Sequence, residues 1–196
     1  MEPIILASGS LQRQEYFRLM GLPFNIVPAQ IDETYGTGLT PQEITGELAA
    51  RKVNRIIEML QGRAPPWICG ADTVISLSGE IFGKPENREH ARSMLNKLQG
   101  TVHEVVSSIA LYNGRDKIMD CRSAVSMVTV ASLTENEIEW YLNTGEWQGV
   151  AGSYRIQGLG SCLVSGISGS YSGIVGLPIR EFYVMLQENR YPYGAA

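Results

Sequence analysis

One stretch, Trp67-Ile-Cys-Gly-Ala-Asp-Thr-Val-Ile-Ser-Leu77, constrains the fold of this chain more than any other. Its run of apolar and β-favouring residues predicts a strand, and Ser78-Gly79 turns that strand toward a short second one in Glu80-Ile-Phe-Gly-Lys-Pro85. One residue does not suit the run. Aspartate is a poor strand former and expensive to take out of water, yet Asp72 stands in the middle. Such a carboxylate either caps a turn at a strand end or acts as a catalytic base or metal ligand, and function often explains a cost of this kind.

Around this strand the chain alternates between strand and helix patterns, so the class is α/β. Ile4 to Ala7 reads as a buried strand, and Ser10 as the N-cap of a helix that ends at Gly21 and turns Tyr16, Leu19 and Met20 inward. Phe24 to Val27 is a second short strand, followed by the polar segment Gln30-Ile-Asp-Glu-Thr-Tyr-Gly-Thr-Gly38. Thr40-Pro41-Gln42-Glu43 combines an N-cap, a first-turn proline and a capping-box glutamate. The helix it opens has an apolar arc of Ile44, Leu48, Ala49, Val53, Ile56, Ile57 and Leu60, closed by Gly62 to Pro66. A helix from Asn87 turns Ala91, Met94, Leu95 and Leu98 inward, and Asn113-Gly114 predicts a two-residue turn in a long hairpin. Thr134 and Glu137 form another capping box, for a helix to about Asn143. The Gly/Ser-rich region from Gly149 to Gly176 reads as short strands joined by tight turns, and a last helix starts near Pro178.

Charges in unexpected places mark the candidate site. At 100° per residue Lys52 falls within the apolar arc of its helix, away from Glu43, Glu47, Arg51, Arg55 and Glu58. It either snorkels past the core edge or points its charge into a cleft. Gly83-Lys84-Pro85 ends a strand with a rigid turn that fixes where the Lys84 stem departs. Ser8-Gly9-Ser10 opens a helix that carries Arg13, and helix N-termini bind phosphates because free N–H groups and the helix dipole point the same way. With Glu33 and Asp72 as carboxylates able to hold a divalent cation, the set points to metal-assisted hydrolysis of a phosphoanhydride.

Other chemistries are excluded by detail. Gly79-x-x-x-Gly83-Lys84-Pro85 is one residue short of a phosphate loop and lacks its Ser or Thr. His103-Glu-Val-Val-Ser has no second histidine for zinc, and Gly-Ser-Tyr-Ser-Gly at 169–173 does not align with a nucleophile elbow. A net charge of −4 argues against a nucleic-acid polymer as partner. No apolar run approaches the roughly 20 residues that span a bilayer, and no export signal is expected at the N-terminus. Cys69, Cys121 and Cys162 are isolated and odd in number, which suits reduced thiols and a cytoplasmic setting.

The ordered motifs Leu-Ala-Ser-Gly-Ser-x-x-Arg-x-Glu, Asp32-Glu33, Leu-Ala-x-x-Lys52, Gly-Ala-Asp72-Thr-Val-Ile, Gly-Lys84-Pro with Ala91-x-x-Met-Leu95, Thr144-Gly-Glu-Trp, Ala-Gly-Ser-Tyr-Arg-Ile-Gln157-Gly and Gly-Ser-Tyr-Ser-Gly-Ile-Val-Gly-Leu-Pro178 resemble the Maf family. These are nucleoside triphosphate pyrophosphatases, also called septum-formation inhibitors, and the similarity covers nearly the whole chain. The resemblance implies a single domain over 1–196 with an elongated α/β fold like that of the inosine triphosphate pyrophosphatases, two lobes and a deep cleft. It implies cleavage of a nucleoside triphosphate to monophosphate and pyrophosphate, with a divalent cation (Mg²⁺ or Mn²⁺) and often in a homodimer. Asp72 matches the family's proton acceptor. Ser8, Ser10, Arg13, Glu33, Lys52 and Lys84 match positions at the phosphate and metal end, with Glu33 and Asp72 as metal ligands. Thr73 and Gln157 match positions that choose the nucleobase.

Two departures bear on the base. Where the family commonly has Ser-x-Ser-Pro-Arg-Arg, this chain has Ser8-Gly9-Ser10-Leu11-Gln12-Arg13, so Gln12 replaces a five-donor cation with an amide that donates and accepts. The Asp-Lys-Ala-Gly of the pyrimidine-preferring branch is Gly149-Val150-Ala151-Gly152. The retained Tyr154-Arg-Ile-Gln-Gly158 leans toward the dTTP/UTP branch over the branch acting on N7-methylated guanosine triphosphate. The alternatives are a pyrophosphatase for modified purine nucleotides and a nucleotide-binding regulator of septation with little turnover.

Overall fold

The structure, a computed structural model, describes residues 1–61 and 67–193. The predicted helix closure at 62–66 lies outside the described residues. Seven strands of the described residues form one mixed sheet: β1 (Ile4–Leu6), β2 (Phe24–Ile26), β3 (Trp67–Leu77), β4 (Glu80–Phe82), β5 (Val102–Asn113), β6 (Ile118–Val130) and β7 (Val164–Ser168). Their order is β2-β1-β3-β5-β6-β7, with β4 pairing β3. β1 runs parallel to β2 and β3, whereas β4 and β7 are antiparallel to β3 and β6. Among the described residues six helices accompany the sheet: α1 (Leu11–Leu19), α2 (Pro41–Met59), α3 (Arg88–Leu98), α4 (Glu135–Thr144), α5 (Tyr171–Val175) and α6 (Ile179–Glu188).

The chain divides into two compact units. The first comprises Met1–Asp72, Ser107–Ala124 and Gly176–Ala196; the second comprises Thr73–Val106 and Val125–Val175. In the first unit, Phe17 of α1 stacks on Phe24 and Phe182 in a core completed by Ile4, Leu6, Trp67 and Met185. A second cluster joins α2 to β1 and β3 through Ala49, Val53, Ile56, Ile5 and Ile68. Each of the large aliphatic side chains there contributes about 1.5–3 kcal/mol by leaving water. In the second unit Met94, Leu95 and Leu98 of α3 and Ile138 and Tyr141 of α4 share a core with Val105, Val128 and Val130 of the sheet.

Both capping boxes form as read: the Thr40 and Thr134 hydroxyls accept the N–H groups of Glu43 and Glu137, whose carboxylates reach back. Three expectations need correction. Leu19 is 75% exposed, and α1 instead buries Phe17 and Gln14, whose amide Nε2 donates to the Gly9 carbonyl. The β5–β6 connection is a four-residue turn, Gly114 to Lys117, because the Asn113 side chain stays in β5 and accepts the N–H groups of Arg115 and Asp116. The Gly/Ser-rich region contributes only one strand, β7. Its remaining regular structure is two 3-10 turns (Ala151–Ser153 and Leu159–Leu163) and α5, because glycine and serine favour turns without dictating strand.

Candidate active site

The charged centre of the first unit follows from a missing side chain. A Cβ on Gly70 of β3 would lie 2.4 Å from the Ala49 carbonyl oxygen and 2.9 Å from Val53 Cγ2 of α2. Only glycine permits that approach, and it lays one face of α2 against the strand two residues before Asp72. Lys52, 7% exposed on that face, thereby reaches Asp72, 8% exposed on β3. The Lys52 Nζ donates to Asp72 Oδ1 at 2.6 Å and pairs with Glu33 Oε1 at 3.0 Å. One ammonium thus holds two carboxylates, and a buried charge is tolerable only when paired in this way.

Glu33 is exposed and lies in the segment between β2 and α2. The segment is tied down by Arg51, whose Nη1 donates to the Thr34 carbonyl at 2.6 Å and to the Asp32 carbonyl at 3.4 Å. Its local shape is an Asx turn, in which Asp32 Oδ1 accepts the Thr34 N–H at 2.9 Å. That backbone hydrogen bond, followed by one from the Thr34 hydroxyl, holds the Asp32 carboxyl below its usual range. Nothing in the sequence marks Arg51, because it sits on the outward, charged face of α2, and only the folded loop shows what it holds.

The turn after β1 forms a second, hydrogen-bonded knot. Ser10 caps α1, accepting the Arg13 N–H at 3.5 Å, and its hydroxyl donates to Gln12 Oε1 at 3.2 Å. Ser8 Oγ accepts the Ser10 N–H at 3.2 Å and Arg13 Nη1 at 3.1 Å, while Arg13 Nε donates to the Gly176 carbonyl at 2.9 Å. Burial pulls the Arg13 pKa down, against the opposing pull of Asp72, Cys69 and Glu33. The guanidinium thus lies within the field of both carboxylates that flank Lys52. Cys69 has its thiol pushed up to about 12 by burial, which makes it a packing residue rather than a nucleophile.

Seven of the residues singled out in the sequence belong to this unit: Ser8, Ser10, Gln12, Arg13, Glu33, Lys52 and Asp72. The structure gathers the first four into one knot and the last three into one ion-pair cluster. Thr73, Lys84 and Gln157 belong to the second unit. Thr73 follows Asp72 on β3 and is half-buried; Lys84 follows β4 and is exposed. Gln157 is exposed and lines a depression of about 550 Å³ with Ile156, Ser161, Ser165, Ile167 and Tyr171.

The donor set fits the implied divalent cation in part. Among the described residues no three His, Cys, Asp or Glu side chains converge. Glu33 and Asp72 nevertheless supply two hard oxygen donors at one place, which suits a cation that keeps several waters and completes its shell with phosphate oxygens. Two carboxylates also offset the charges of Lys52 and Arg13, so the cluster alone carries no surplus positive charge for a polyanion.

Comparison with known proteins agrees with the motif order. A family model described as Maf-like protein matches residues 3–189. The chain is 40% identical over 191 residues to the dTTP/UTP pyrophosphatase of Pelotomaculum thermopropionicum, covering 97% of this chain and 98% of that one. It is 39% identical to the dTTP/UTP pyrophosphatase of Escherichia coli O157:H7, with 95% and 92% covered, and 40% identical to that of Bacillus cereus, with 96% and 90% covered. The solved Ham1 protein of Staphylococcus aureus matches 66% of this chain and 72% of its own at a TM-score of 0.45 and 15% identity, a likeness too slight to build on.

Proposed function

The chain belongs to the Maf family of Maf-like proteins, and from that premise we propose that it hydrolyses nucleoside triphosphates to the monophosphate and pyrophosphate, with dTTP and UTP as substrates. The observation that carries this reading is Lys52 held between Asp72 and Glu33, in a unit whose Ser8–Arg13 turn presents hydroxyls, a helix N-terminus and a guanidinium. The relatives at about 40% identity, named for dTTP and UTP, direct it to pyrimidine nucleotides.

In this mechanism Asp72 orients the attacking water and takes its proton. The water oxygen forms a bond to phosphorus, the link between the α and β phosphates breaks, and pyrophosphate leaves with the bonding pair. Lys52 holds Asp72 in place before attack, then offsets charge gathering on the phosphates. Arg13, aimed by Ser8 and the Gly176 carbonyl, needs no reorganisation to receive an anion. Ser10 and Gln12 complete that turn, and Lys84 is assigned to the phosphates by the resemblance. A divalent cation held by Glu33 and Asp72 would supply Lewis-acid neutralisation of the leaving pyrophosphate. Thr73 and Gln157 are assigned to the base, where the Gln157 amide offers one donor and one acceptor group to a pyrimidine edge.

The same reading takes the chain as one Maf-like domain, working as a homodimer in the cytoplasm on free nucleotides rather than on a nucleic-acid polymer or a membrane. Among the described residues no helix is long and apolar enough to cross a membrane. The test is a panel of standard and modified nucleoside triphosphates, incubated with the purified protein and Mg²⁺ or Mn²⁺, with products separated by chromatography. Equimolar monophosphate and pyrophosphate from dTTP and UTP is the expected result. Binding without cleavage across the panel would replace this reading with that of a regulator.

A further inference from the structure

Within the second unit, the backbone that carries Gln157 is held far more firmly than its Gly-rich sequence suggests. Just before it, the buried Tyr154 hydroxyl shares a 2.8 Å hydrogen bond with His103 Nε2. The Arg155 N–H donates to the Tyr141 hydroxyl at 3.0 Å. Beyond it, the Gly158 N–H closes a turn onto the Arg155 carbonyl at 3.1 Å, and the Gly160 N–H donates to Glu146 Oε2 at 3.3 Å. The turn is also sterically closed. A Cβ at Gly160 would lie 2.5 Å from the Arg155 carbonyl oxygen, and one at Gly158 would lie 2.6 Å from the Glu146 carboxylate. Gln157 projects from this knot with its side chain exposed, next to the exposed Leu159.

The Arg155 side chain makes the link that the local sequence does not require. Its Nε donates to the Glu146 carbonyl at 3.0 Å and its Nη2 to the Gln148 carbonyl at 3.2 Å. A planar fork on two carbonyls two residues apart in the chain fixes the 154–158 turn against the 146–148 backbone, and a lysine has only one ammonium to offer there. We infer that Arg155 is a positioning residue for Gln157: by clamping this turn it fixes where the amide meets the base, and so sharpens base discrimination without touching the reacting phosphates. This rests on the assignment of Gln157 to the base made above. Because Gln157 meets the base in ground state and transition state alike, a loosened turn is expected to show chiefly in KM and in the ratio between bases.

The experiment compares Arg155→Met, Arg155→Lys and Gln157→Leu with the unsubstituted protein, measuring kcat and KM on dTTP and dGTP and melting each variant. For Arg155→Met the expected result is a KM for dTTP raised about tenfold, kcat within about twofold, and a dTTP-to-dGTP ratio of kcat/KM lowered about tenfold. Arg155→Lys, able to reach one carbonyl, should lie between. If Arg155→Met and Arg155→Lys lose kcat/KM equally on both nucleotides, or lose nothing, while Gln157→Leu still collapses the ratio, the positioning role is overturned and the base assignment stands. If Gln157→Leu leaves the ratio unchanged, the base assignment itself falls and the role of Arg155 falls with it. Should Arg155→Met fail to fold, Arg155→Lys decides by the same ratio.

Discussion

The Lys52 cluster and the Gln157 turn place their side chains in opposite ways. Lys52 and Asp72 stand on a long helix and a long strand, buried, and are brought together by close packing at Gly70. Gln157 stands on irregular backbone, exposed, and that backbone is held by Tyr141 and Glu146, which accept its N–H groups, and by its own Tyr154 and Arg155 side chains, which reach His103 and the 146–148 carbonyls. Regular elements fix charge where the proposed mechanism tolerates little displacement. An irregular turn has no ladder of its own to place a side chain, so tethers from outside it do that work.

Substitutions that break this contrast should differ in size. Lys52→Met removes the partner of a buried carboxylate, so turnover should fall about 10²- to 10³-fold, and stability by about 3–5 kcal/mol, read by kinetics and thermal melting. Gly70→Ala should force α2 from β3, costing about 1–3 kcal/mol and lowering kcat, although alanine touches no substrate. An equal kcat in that variant would mean that the Lys52–Asp72 contact does not depend on the packing.

The Gln157 side of the comparison has a pH signature. Burial lowers the His103 pKa from 6.5 to about 4, so the folded state keeps the ring neutral where the unfolded chain protonates it. The stabilisation is full above pH 6.5 and drains away as pH falls toward 4, with a slope of up to about 1.4 kcal/mol per pH unit. His103→Gln should flatten that part of the stability profile, measured by urea unfolding between about pH 4 and 7. The smallest effect is expected from Arg51→Ala, which frees the Glu33 segment: a several-fold rise in the Mg²⁺ concentration needed for half-maximal activity, with stability nearly unchanged.

The two regions also differ in how legible they are in the sequence. Lys52 and Asp72 stand out because each contradicts its immediate surroundings, a cation on an apolar arc and an acid in a strand run. The two capping boxes are equally readable, since they depend on residues three positions apart. The inward face of α1 is misread toward Leu19 because a short helix with apolar residues on more than one side does not declare which side meets the core. The region from 149 to 176 resists reading for another reason. Its glycines announce turns, but the tethers that choose among them come from His103, Tyr141 and Glu146, outside the run of glycines and serines. Gly70 and Arg51 are silent because their importance lies wholly in what packs or folds against them.

Asp72→Asn tests the buried cluster most directly, because this isosteric change removes the proton acceptor while keeping a group able to accept from Lys52. Turnover of dTTP and UTP and equilibrium binding of a non-hydrolysable triphosphate analogue should be measured on the same preparation. Turnover is expected to fall by about 10³-fold or more, with analogue affinity changed only a few-fold. Turnover equal to that of the unsubstituted protein would remove Asp72 from the chemistry, and with it the catalytic role of the Lys52 cluster.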